Sequence, residues 1–359
     1  MNDDEIILVN ATVWKNFLWR RHSHTCIPIQ QSLPDKVDLL QLQILFSVLY
    51  FLVWIVAVSG NALVLYIVTI KQVSLSVRTI FIGSLAISDI LMSLTSLPVT
   101  AVTIFTRDWV FPSIFCRLIG VFQGGSIFVS SFTLTVIAVD RLLLIIYPSK
   151  EIITFERALA IVISIWAIGY SFSLPNGIFS RTVRYYPYCG TFCEEAWPDS
   201  NVEDGSKLGR IYGTAVMVLQ FGVPVLISSF CYWRISRVIS QQIEKRREQQ
   251  ILLKESEQKL TSRRTRSNRM MVCMVLGLVL AWLPLNLINL SRDFNGVSAW
   301  FSTIFALCHV IAMTSAAWNP VIYSWFNPQL RRALITMFND ASSSNKERLP
   351  LVNVLQVTK

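Results

Sequence analysis

Six polar side chains lie on the inward faces of long apolar segments of the chain. Polar residues inside a membrane-spanning helix are costly, so each of them is a functional candidate by default. Amides, hydroxyls, imidazoles and carboxylates are groups that bind amide and guanidinium groups through hydrogen bonds. The candidate binding residues are Thr100, Gln123, Gln220, Asn289, Asp293 and His309. Their types predict a cup able to hold the end of a ligand that carries an amide and an arginine.

The composition indicates that these segments cross a membrane. Hydrophobic residues make up 53% of the chain and charged residues 15%, with a mean hydropathy of +0.50. A soluble domain carries roughly 25% charged residues, and a helix needs roughly 20 apolar residues to cross a bilayer. Suitable runs cover residues 41–70, 80–104, 114–147, 158–175, 211–233, 270–290 and 298–325. The sequence therefore predicts an all-α membrane protein with a seven-transmembrane helix bundle.

The distribution of basic residues predicts the orientation of the bundle. Most of the 32 Lys and Arg residues follow spans one, three and five or lie in the C-terminal tail. The positive-inside rule then places the N-terminus outside the cell, in a multi-pass plasma-membrane protein. Asn10 begins an Asn-Ala-Thr glycosylation sequon on that side. The net charge of +10 suits anionic membrane lipid, so nucleic-acid binding is not expected.

Four segments are expected along the chain. They are an extracellular N-terminal segment 1–38, a transmembrane domain 39–325, a short amphipathic C-terminal helix 326–338 and a cytoplasmic tail 339–359. The amphipathic helix is predicted because Asn327–Phe338 alternates apolar and basic residues, a pattern typical of a helix lying on the inner leaflet. The loop Ser236–Arg269 lacks Pro and Gly, and we expect it to extend spans five and six as solvated helix.

Helical geometry aligns the polar residues into stripes. In span three, Gln123, Ser130 and Arg141 follow Cys116 by 7, 14 and 25 residues. At about 100° per residue these four point in nearly one direction. The same alignment occurs in span six with Trp282, Asn289 and Asp293, and in span two with Asp89 and Thr100. Three aligned stripes imply a polar cavity at the centre of the bundle.

With this arrangement the chain resembles the rhodopsin-like G-protein-coupled receptors from Gln41 to Phe338. The matching motifs are Gly60-Asn61, Leu85-Ala86-Ile87-Ser88-Asp89, Cys116, Asp140-Arg141, Trp166, Pro224 with Tyr232, Trp282-Leu283-Pro284 and Asn319-Pro320-Val321-Ile322-Tyr323. Each motif is weak alone, but all of them in order are very specific. The resemblance implies a receptor that activates a heterotrimeric G protein. It assigns activation and coupling to Asp140, Arg141, Tyr232, Trp282, Pro284, Asn319, Pro320 and Tyr323.

Three positions depart from the family pattern. Leu142 replaces the usual tyrosine after the Asp-Arg pair, and Ala281 replaces the usual cysteine before the span-six tryptophan. Arg264 stands where an acid often faces Arg141, so an ionic clasp between Arg141 and span six is not expected. The level of basal activity is left open.

Within that family the chain looks like the neuropeptide Y and neuropeptide F receptors. Gln123 stands where amine receptors carry an aspartate, and the other five candidate binding residues match pocket positions of that group. Cys193–Pro198 resembles the second outer loop of the group. Thr103 and Arg292 differ from the vertebrate aromatic pocket residues, so exact ligand selectivity does not carry over.

The resemblance suggests an invertebrate receptor for an amidated neuropeptide of the neuropeptide Y/F or RFamide-like type. Its expected partners are a peptide ending in an arginine-aromatic amide, a heterotrimeric G protein and membrane lipid. A tachykinin-like or RYamide ligand is the alternative. A seven-helix transporter would show broken helices or an inverted repeat, and neither is found. An enzyme is not expected, because no catalytic constellation lies at membrane depth.

The resemblance also implies a disulfide and an ion site. Cys116 is expected to pair with Cys193, while Cys26 and Cys189 are left open. No cofactor is expected, apart from a sodium ion that related receptors hold with the equivalents of Asp89, Ser130 and Asn319. For Asp89 the alternative is a helix-packing acid, and for His309 it is an ordinary core histidine.

Overall fold

The computed structural model describes residues 26–69, 77–200, 205–248, 255–296, 300–326, 331–332 and 335–336. Within them the chain forms seven long helices, each with an apolar stretch long enough to cross a membrane. Their bounds are Leu40–Thr69 (α1), Val77–Thr106 (α2), Ser113–Ile146 (α3), Phe155–Phe179 (α4), α5 as described below, Glu255–Asn295 (α6) and Phe301–Phe326 (α7). The predicted seven-helix bundle is confirmed.

Helix α5 has three consecutive pieces. An α-helical Lys207–Met217 passes through one π-helical turn, Val218–Gly222, into the α-helical Val223–Glu248. A π-turn contains one extra residue, so it shifts the side chains that follow it around the helix axis. Helices α5 and α6 both reach far into the loop 236–269, which confirms the predicted helical extensions in the described residues.

A C-terminal helix follows α7. Residues 331–332 and 335–336 are helical, and the Thr336 hydroxyl donates to the Arg332 carbonyl oxygen at 3.0 Å. Both basic residues here, Arg331 and Arg332, are exposed. These residues lie in the predicted amphipathic helix 326–338. The tail 339–359 and the sequon at Asn10 lie outside the described residues.

The outer surface of the bundle is apolar. Large hydrophobic side chains are exposed on several helices, for example Leu226 at 71%, Leu280 at 64% and Ile163 at 61%. A soluble protein rarely exposes an apolar surface of this extent, whereas lipid tails solvate it without cost. The exposure pattern therefore supports a multi-pass membrane protein.

Helix α3 is central and packs against α2, α4, α5 and α6. Its approach to α4 depends on small residues. A Cβ atom added at Gly125 would lie 2.8 Å from the ring of Tyr170, and one added at Gly177 would lie 2.8 Å from the backbone oxygen of Arg117. Small residues let helix backbones come close, which is how membrane helices gain packing contacts.

Two short strands connect α4 to α5. Strands β1 (Ser180–Val183) and β2 (Phe192–Glu195) pair antiparallel, with Ser180 opposite Glu195. This hairpin lies at the end of the bundle where α3 begins, close to Cys116, and we call it the disulfide end. The opposite end carries Asp140 and Arg141, and we call it the Asp-Arg end.

Candidate functional site

Two disulfides fix the loops of the disulfide end. Cys116 bonds to Cys193, with Cα atoms 5.6 Å apart, which confirms the expected pairing. Cys26 bonds to Cys189, with Cα atoms 4.9 Å apart, which closes the question the sequence left open. The first bond ties the hairpin to α3, and the second ties the N-terminal residues to the hairpin loop.

The hairpin loop is held by Asp108, just after α2. Its carboxylate accepts a hydrogen bond from the Thr191 backbone at 2.7 Å, and Trp109 N–H donates to the Thr191 carbonyl at 2.6 Å. Gly190 has φ of +97°, and a Cβ there would lie 2.7 Å from the Asp108 carboxylate. Glycine is therefore required at this position, because an L side chain would meet both strain and a clash.

Residues 26–38 form an N-terminal strap across the disulfide end. Ile27 exchanges backbone hydrogen bonds with the hairpin loop, donating to the Pro187 carbonyl at 2.9 Å and accepting from Cys189 N–H at 3.0 Å. The strap side chains of Ile29 and Val37 are 6% and 0% exposed, so they are packed into the bundle. The sequence had predicted only an N-terminal segment 1–38, without this attachment.

Polar contacts fasten the strap to α2 and α7. Arg107, at the end of α2, donates to the Leu33 carbonyl at 2.6 Å and to the Asp38 carboxylate at 3.0 Å. Asp35 accepts from the Ser302 backbone at 3.0 Å and from the Thr303 hydroxyl, at the start of α7. A carboxylate at a helix N-terminus is favourable because the first backbone N–H groups lack partners within the helix.

Three of the predicted binding residues keep unused hydrogen-bonding groups. Thr100 on α2, Gln123 on α3 and Asn289 on α6 are all half-buried. Within the described residues, the side chains of Thr100 and Gln123 make no hydrogen bond to another residue. The buried Oδ1 of Asn289 also has no partner there. Leaving a buried polar group unpaired costs roughly 1–3 kcal/mol. A ligand that satisfied the Asn289 Oδ1 would recover that cost.

Gln220 differs from these residues because its side-chain amide already has a partner. It is 3% exposed, its side-chain amide donates to the Gly124 carbonyl at 3.1 Å, and its backbone carbonyl accepts from the Ser131 hydroxyl. The π-turn of α5 supplies the physical reason, because it changes the direction of side chains in that turn. Gln220 thus joins α5 to α3, and its role in ligand binding stays a prediction.

His309 is buried at 1% exposure on α7. Its Nδ1 atom lies 2.9 Å from the hydroxyl of Tyr50 on α1, and its ring stacks on Phe305 with centroids 5.9 Å apart. Its Nε2 atom is buried without a partner among the described residues. No sequence signal marks Tyr50, because it is one more large residue in the apolar run of span one.

Asp293 lies towards the disulfide end of α6 and is partly exposed. Its Oδ1 atom accepts from both Nε and an Nη atom of Arg292, at 3.1 and 3.0 Å. The side chains of Arg292 and Asp293 are 41% and 28% exposed. The Oδ2 atom lies 3.7 Å from the place where a Cβ at Gly213 of α5 would stand. The acid therefore lies at the outer rim of the bundle, the partly exposed surface of the disulfide end where α5 and α6 meet, with its second oxygen near α5.

Trp282 lies on α6, about 16 Å from Asp293 along the helix. It is 2% exposed, and its indole N–H donates to the Ser315 hydroxyl of α7 at 2.9 Å. Pro284 follows within the same helix and removes one backbone donor. Sequence reasoning named Trp282 and Pro284 but missed Ser315, since serine in a span carries no distinctive signal.

The predicted ion-site residues come together one turn of α7 beyond Ser315, towards the Asp-Arg end. Asp89 of α2 is 2% exposed, accepting from the Ser130 hydroxyl at 3.3 Å and from the Asn319 amide at 2.8 Å. No Lys or Arg among the described residues pairs with it. Asn61 lies on α1, donating to the carbonyls of Ala57 and Ala316 at 2.9 Å. Three helices thus meet around one buried carboxylate.

At the Asp-Arg end, Arg141 pairs with its neighbour Asp140 at 2.7 Å. The hydroxyls of Tyr232 on α5 and Tyr323 on α7 are buried without partners among the described residues. Arg266 of α6 donates to the Trp325 carbonyl of α7 at 2.5 Å. The side chain of Arg264 lies outside the described residues. Tyr323 follows Pro320, which lies inside α7.

Comparison with known proteins gives a family. A family model described as "7 transmembrane receptor (rhodopsin family)" matches residues 60–323. Neuropeptide receptor 3 of Caenorhabditis elegans is 60% identical over 311 residues, covering 86% of this chain and 82% of that protein. The RYamide receptor of Tribolium castaneum is 31% identical over 294 residues (80% and 78%). The neuropeptide F receptor of Drosophila melanogaster is 29% identical over 309 residues (80% and 60%). Because the matched region runs from α1 to α7, the chain belongs to the rhodopsin family of seven-transmembrane receptors.

Proposed function

We propose that this receptor binds an amidated neuropeptide at its disulfide end and signals to a heterotrimeric G protein at its Asp-Arg end. The observation that carries the proposal is that polar groups of Thr100, Gln123 and Asn289 have no side-chain partner among the described residues, with the partly exposed Asp293 at the rim. An amide-ended peptide with an arginine supplies the matching donors, acceptors and positive charge. The names of the relatives, which include neuropeptide, neuropeptide F and RYamide receptors, support the same ligand class.

The disulfide end is proposed to face the outside of the cell. Disulfides persist in oxidising compartments, and this end carries two. The opposite end carries the excess of Lys and Arg that the positive-inside rule places in the cytoplasm. A peptide arriving from outside would therefore first meet acidic residues of the hairpin and the loop after it, such as Glu195 and Asp199. The hydroxyl of Ser206 and the backbone N–H of Leu208 donate to the Asp199 carboxylate and lower its pKa, which favours the charged form.

Signalling is proposed to begin at Trp282. Peptide contact with Gln123 and Asn289 would shift α6 relative to α7 and so change the hydrogen bond between Trp282 and Ser315. Helix α6 can bend at Pro284, and an outward swing of its far end would separate Arg266 from Trp325 and open the Asp-Arg end. The peptide shifts this equilibrium only by binding one state more tightly than the other.

A panel of amidated peptides tests the ligand class. Cells expressing the wild-type chain are exposed to peptides that end in Arg-Phe-amide or Arg-Tyr-amide, to the same peptides as free acids, and to tachykinin-like peptides. We expect a G-protein response to at least one Arg-aromatic amide and a much weaker response to its free acid. A response to tachykinin-like peptides alone would favour the alternative ligand, and a response to free acids as strong as to amides would contradict the proposal.

We further propose that Asp89, Ser130 and Asn319 hold a sodium ion. The residues fit such an ion, because each Asp89 oxygen accepts only one hydrogen bond and a carboxylate offers about four lone-pair positions. The Ser130 hydroxyl and the Asn319 carbonyl are further oxygen ligands, the type that hard cations prefer. A bound cation would supply the positively charged partner that the buried Asp89 carboxylate does not have among the described residues.

Asp89→Asn tests the ion site. Agonist affinity is measured in sodium and in choline at the same ionic strength. For the wild-type receptor we expect the two affinities to differ by about fivefold or more, which is the low end of the usual coupling between two binding sites. The amide of the variant has no charge to hold the ion, so its agonist affinity should no longer depend on sodium. Surface expression, measured with an epitope antibody, should stay near the wild-type level. A wild-type affinity indifferent to sodium, together with normal signalling by the variant, would rule the ion site out.

A further inference from the structure

One ring nitrogen of His309 has a hydrogen-bond partner, and the other has none among the described residues. Nδ1 lies 2.9 Å from the Tyr50 hydroxyl, whereas Nε2 is fully buried and has no partner among the described residues. The two nitrogens of an imidazole point in divergent directions. Since Nδ1 is turned towards Tyr50 on α1, Nε2 is turned away from α1 and into the bundle.

The Tyr50 hydroxyl has one hydrogen and two nearby acceptors. These are Nδ1 of His309 at 2.9 Å and the Ala306 carbonyl at 3.4 Å. The carbonyl lies within α7, where it accepts the helical hydrogen bond from residue 310. Nδ1 is the closer acceptor and has no other partner among the described residues, so we assign the Tyr50 hydrogen to Nδ1. A neutral imidazole that accepts at Nδ1 carries its proton on Nε2.

Aromatic packing keeps the ring in this orientation. Tyr50 lies against His309 with ring centroids 5.7 Å apart, and Phe305 stacks on the same imidazole at 5.9 Å. Phe105 of α2 meets the Tyr50 ring edge-on at 6.0 Å. Three helices therefore hold both rings in place, and a flipped imidazole would lose the hydrogen bond between Nδ1 and Tyr50.

We propose that Tyr50 is a positioning residue that presents the Nε2–H of His309 as a fixed donor and so selects a ligand with a carbonyl acceptor at that point. In the proposed peptide, that acceptor is the oxygen of the terminal carboxamide. The inference rests on the proposed function and makes it more specific. A site built to hydrogen-bond one group discriminates strongly against an analogue without it, because the buried donor is then left unpaired.

Four receptors and two peptides test the proposal. The receptors are wild type, Tyr50→Phe, His309→Ala and the double variant. Phenylalanine keeps the ring contacts and removes only the hydroxyl. Tyr66→Phe is the matched control, since Tyr66 lies in the same helix at 38% exposure. The peptides are an active Arg-Phe-amide agonist and the same sequence ending in phenethylamide, which lacks the terminal carboxamide. Affinity is measured by displacement of a labelled agonist from membranes with equal receptor levels.

With the carboxamide peptide we expect Tyr50→Phe to lower affinity about fivefold to tenfold, the worth of one to one and a half hydrogen bonds. The loss should disappear in the His309→Ala background, because Tyr50 acts only through the imidazole. The phenethylamide peptide should bind wild type and Tyr50→Phe within about twofold of each other, which shows that the pocket is intact. Tyr66→Phe should change neither peptide.

Each contrary result has one meaning. Unchanged carboxamide affinity in Tyr50→Phe, equal losses for the two peptides, or a full additional loss in the double variant would overturn the role of Tyr50 alone. A wild-type receptor that responds to no amidated peptide would instead overturn the proposed function, and this inference with it.

Discussion

Asp293→Ala is expected to weaken an arginine-containing agonist by about thirtyfold or more. Removing one partner of a desolvated charge pair costs roughly 2–5 kcal/mol, and every 1.4 kcal/mol is about tenfold in affinity. The pair of Asp293 with Arg292 is partly exposed, and such surface pairs are worth about 0–1 kcal/mol. An arginine of the peptide can therefore replace Arg292 at little cost and gain a bidentate contact. Competition binding on membranes measures the loss.

Two controls separate this pairing from a general defect of the rim. An agonist with citrulline in place of the arginine keeps the shape of the side chain but loses its charge, so Asp293→Ala should barely change its affinity. Arg292→Ala removes the cation that competes for Asp293 and should leave the arginine peptide bound as well as before, or more tightly. Equal losses for the arginine and citrulline peptides in Asp293→Ala would show that Asp293 acts on the fold of the rim.

Gly177→Ala is expected to destabilise the receptor by about 1–3 kcal/mol, the usual cost of overpacking a close contact. An added Cβ would lie 2.4 Å from a methyl group of Val121 and 2.8 Å from the Arg117 carbonyl of α3. The carbonyl belongs to a helix backbone, so α3 and α4 would have to move apart. The expected result is a lower melting temperature of the detergent-purified receptor and a lower level at the cell surface.

Gly83→Ala provides the matched control for this change. A Cβ at Gly83 of α2 would meet nothing within 4 Å. Alanine is a better helix former than glycine by about 0.8–1.0 kcal/mol, so this variant should be neutral or slightly stabilised. A melting temperature that fell equally in both variants would trace the loss to helical glycines in general and would contradict the role of the α3–α4 contact.

The sequence predicts the bundle well because its signals are local. Apolar runs of spanning length define seven helices, and the spacing along span three puts Gln123 and Ser130 on one face. The cluster of Asp89, Ser130 and Asn319 also follows from motifs, and the structure brings those three side chains within hydrogen-bond distance. Such features depend on helix geometry, which varies little from one protein to another.

The finer features of the site depend on contacts between distant parts of the chain. Tyr50 and His309 are 259 residues apart, and nothing in either local sequence marks the hydrogen bond between them. Gln220 is predicted as a binding residue from its match to receptor pocket positions, and the structure adds a π-turn in which its side-chain amide donates to Gly124. The extra residue of a π-turn is stabilised by tertiary contacts, and the hydrophobic periodicity of the sequence does not reveal it.

The N-terminal strap changes the covalent topology of the receptor. Cys26 and Cys189 close a ring of the chain that contains α1 to α4, and this ring overlaps the one closed by Cys116 and Cys193. A single cleavage of the backbone anywhere between Cys26 and Cys189 therefore leaves both pieces joined by at least one disulfide. Rings of this length also reduce the conformational freedom of the unfolded chain. The strap thus stays attached to the mouth of the bundle even when the peptide chain behind it is cut.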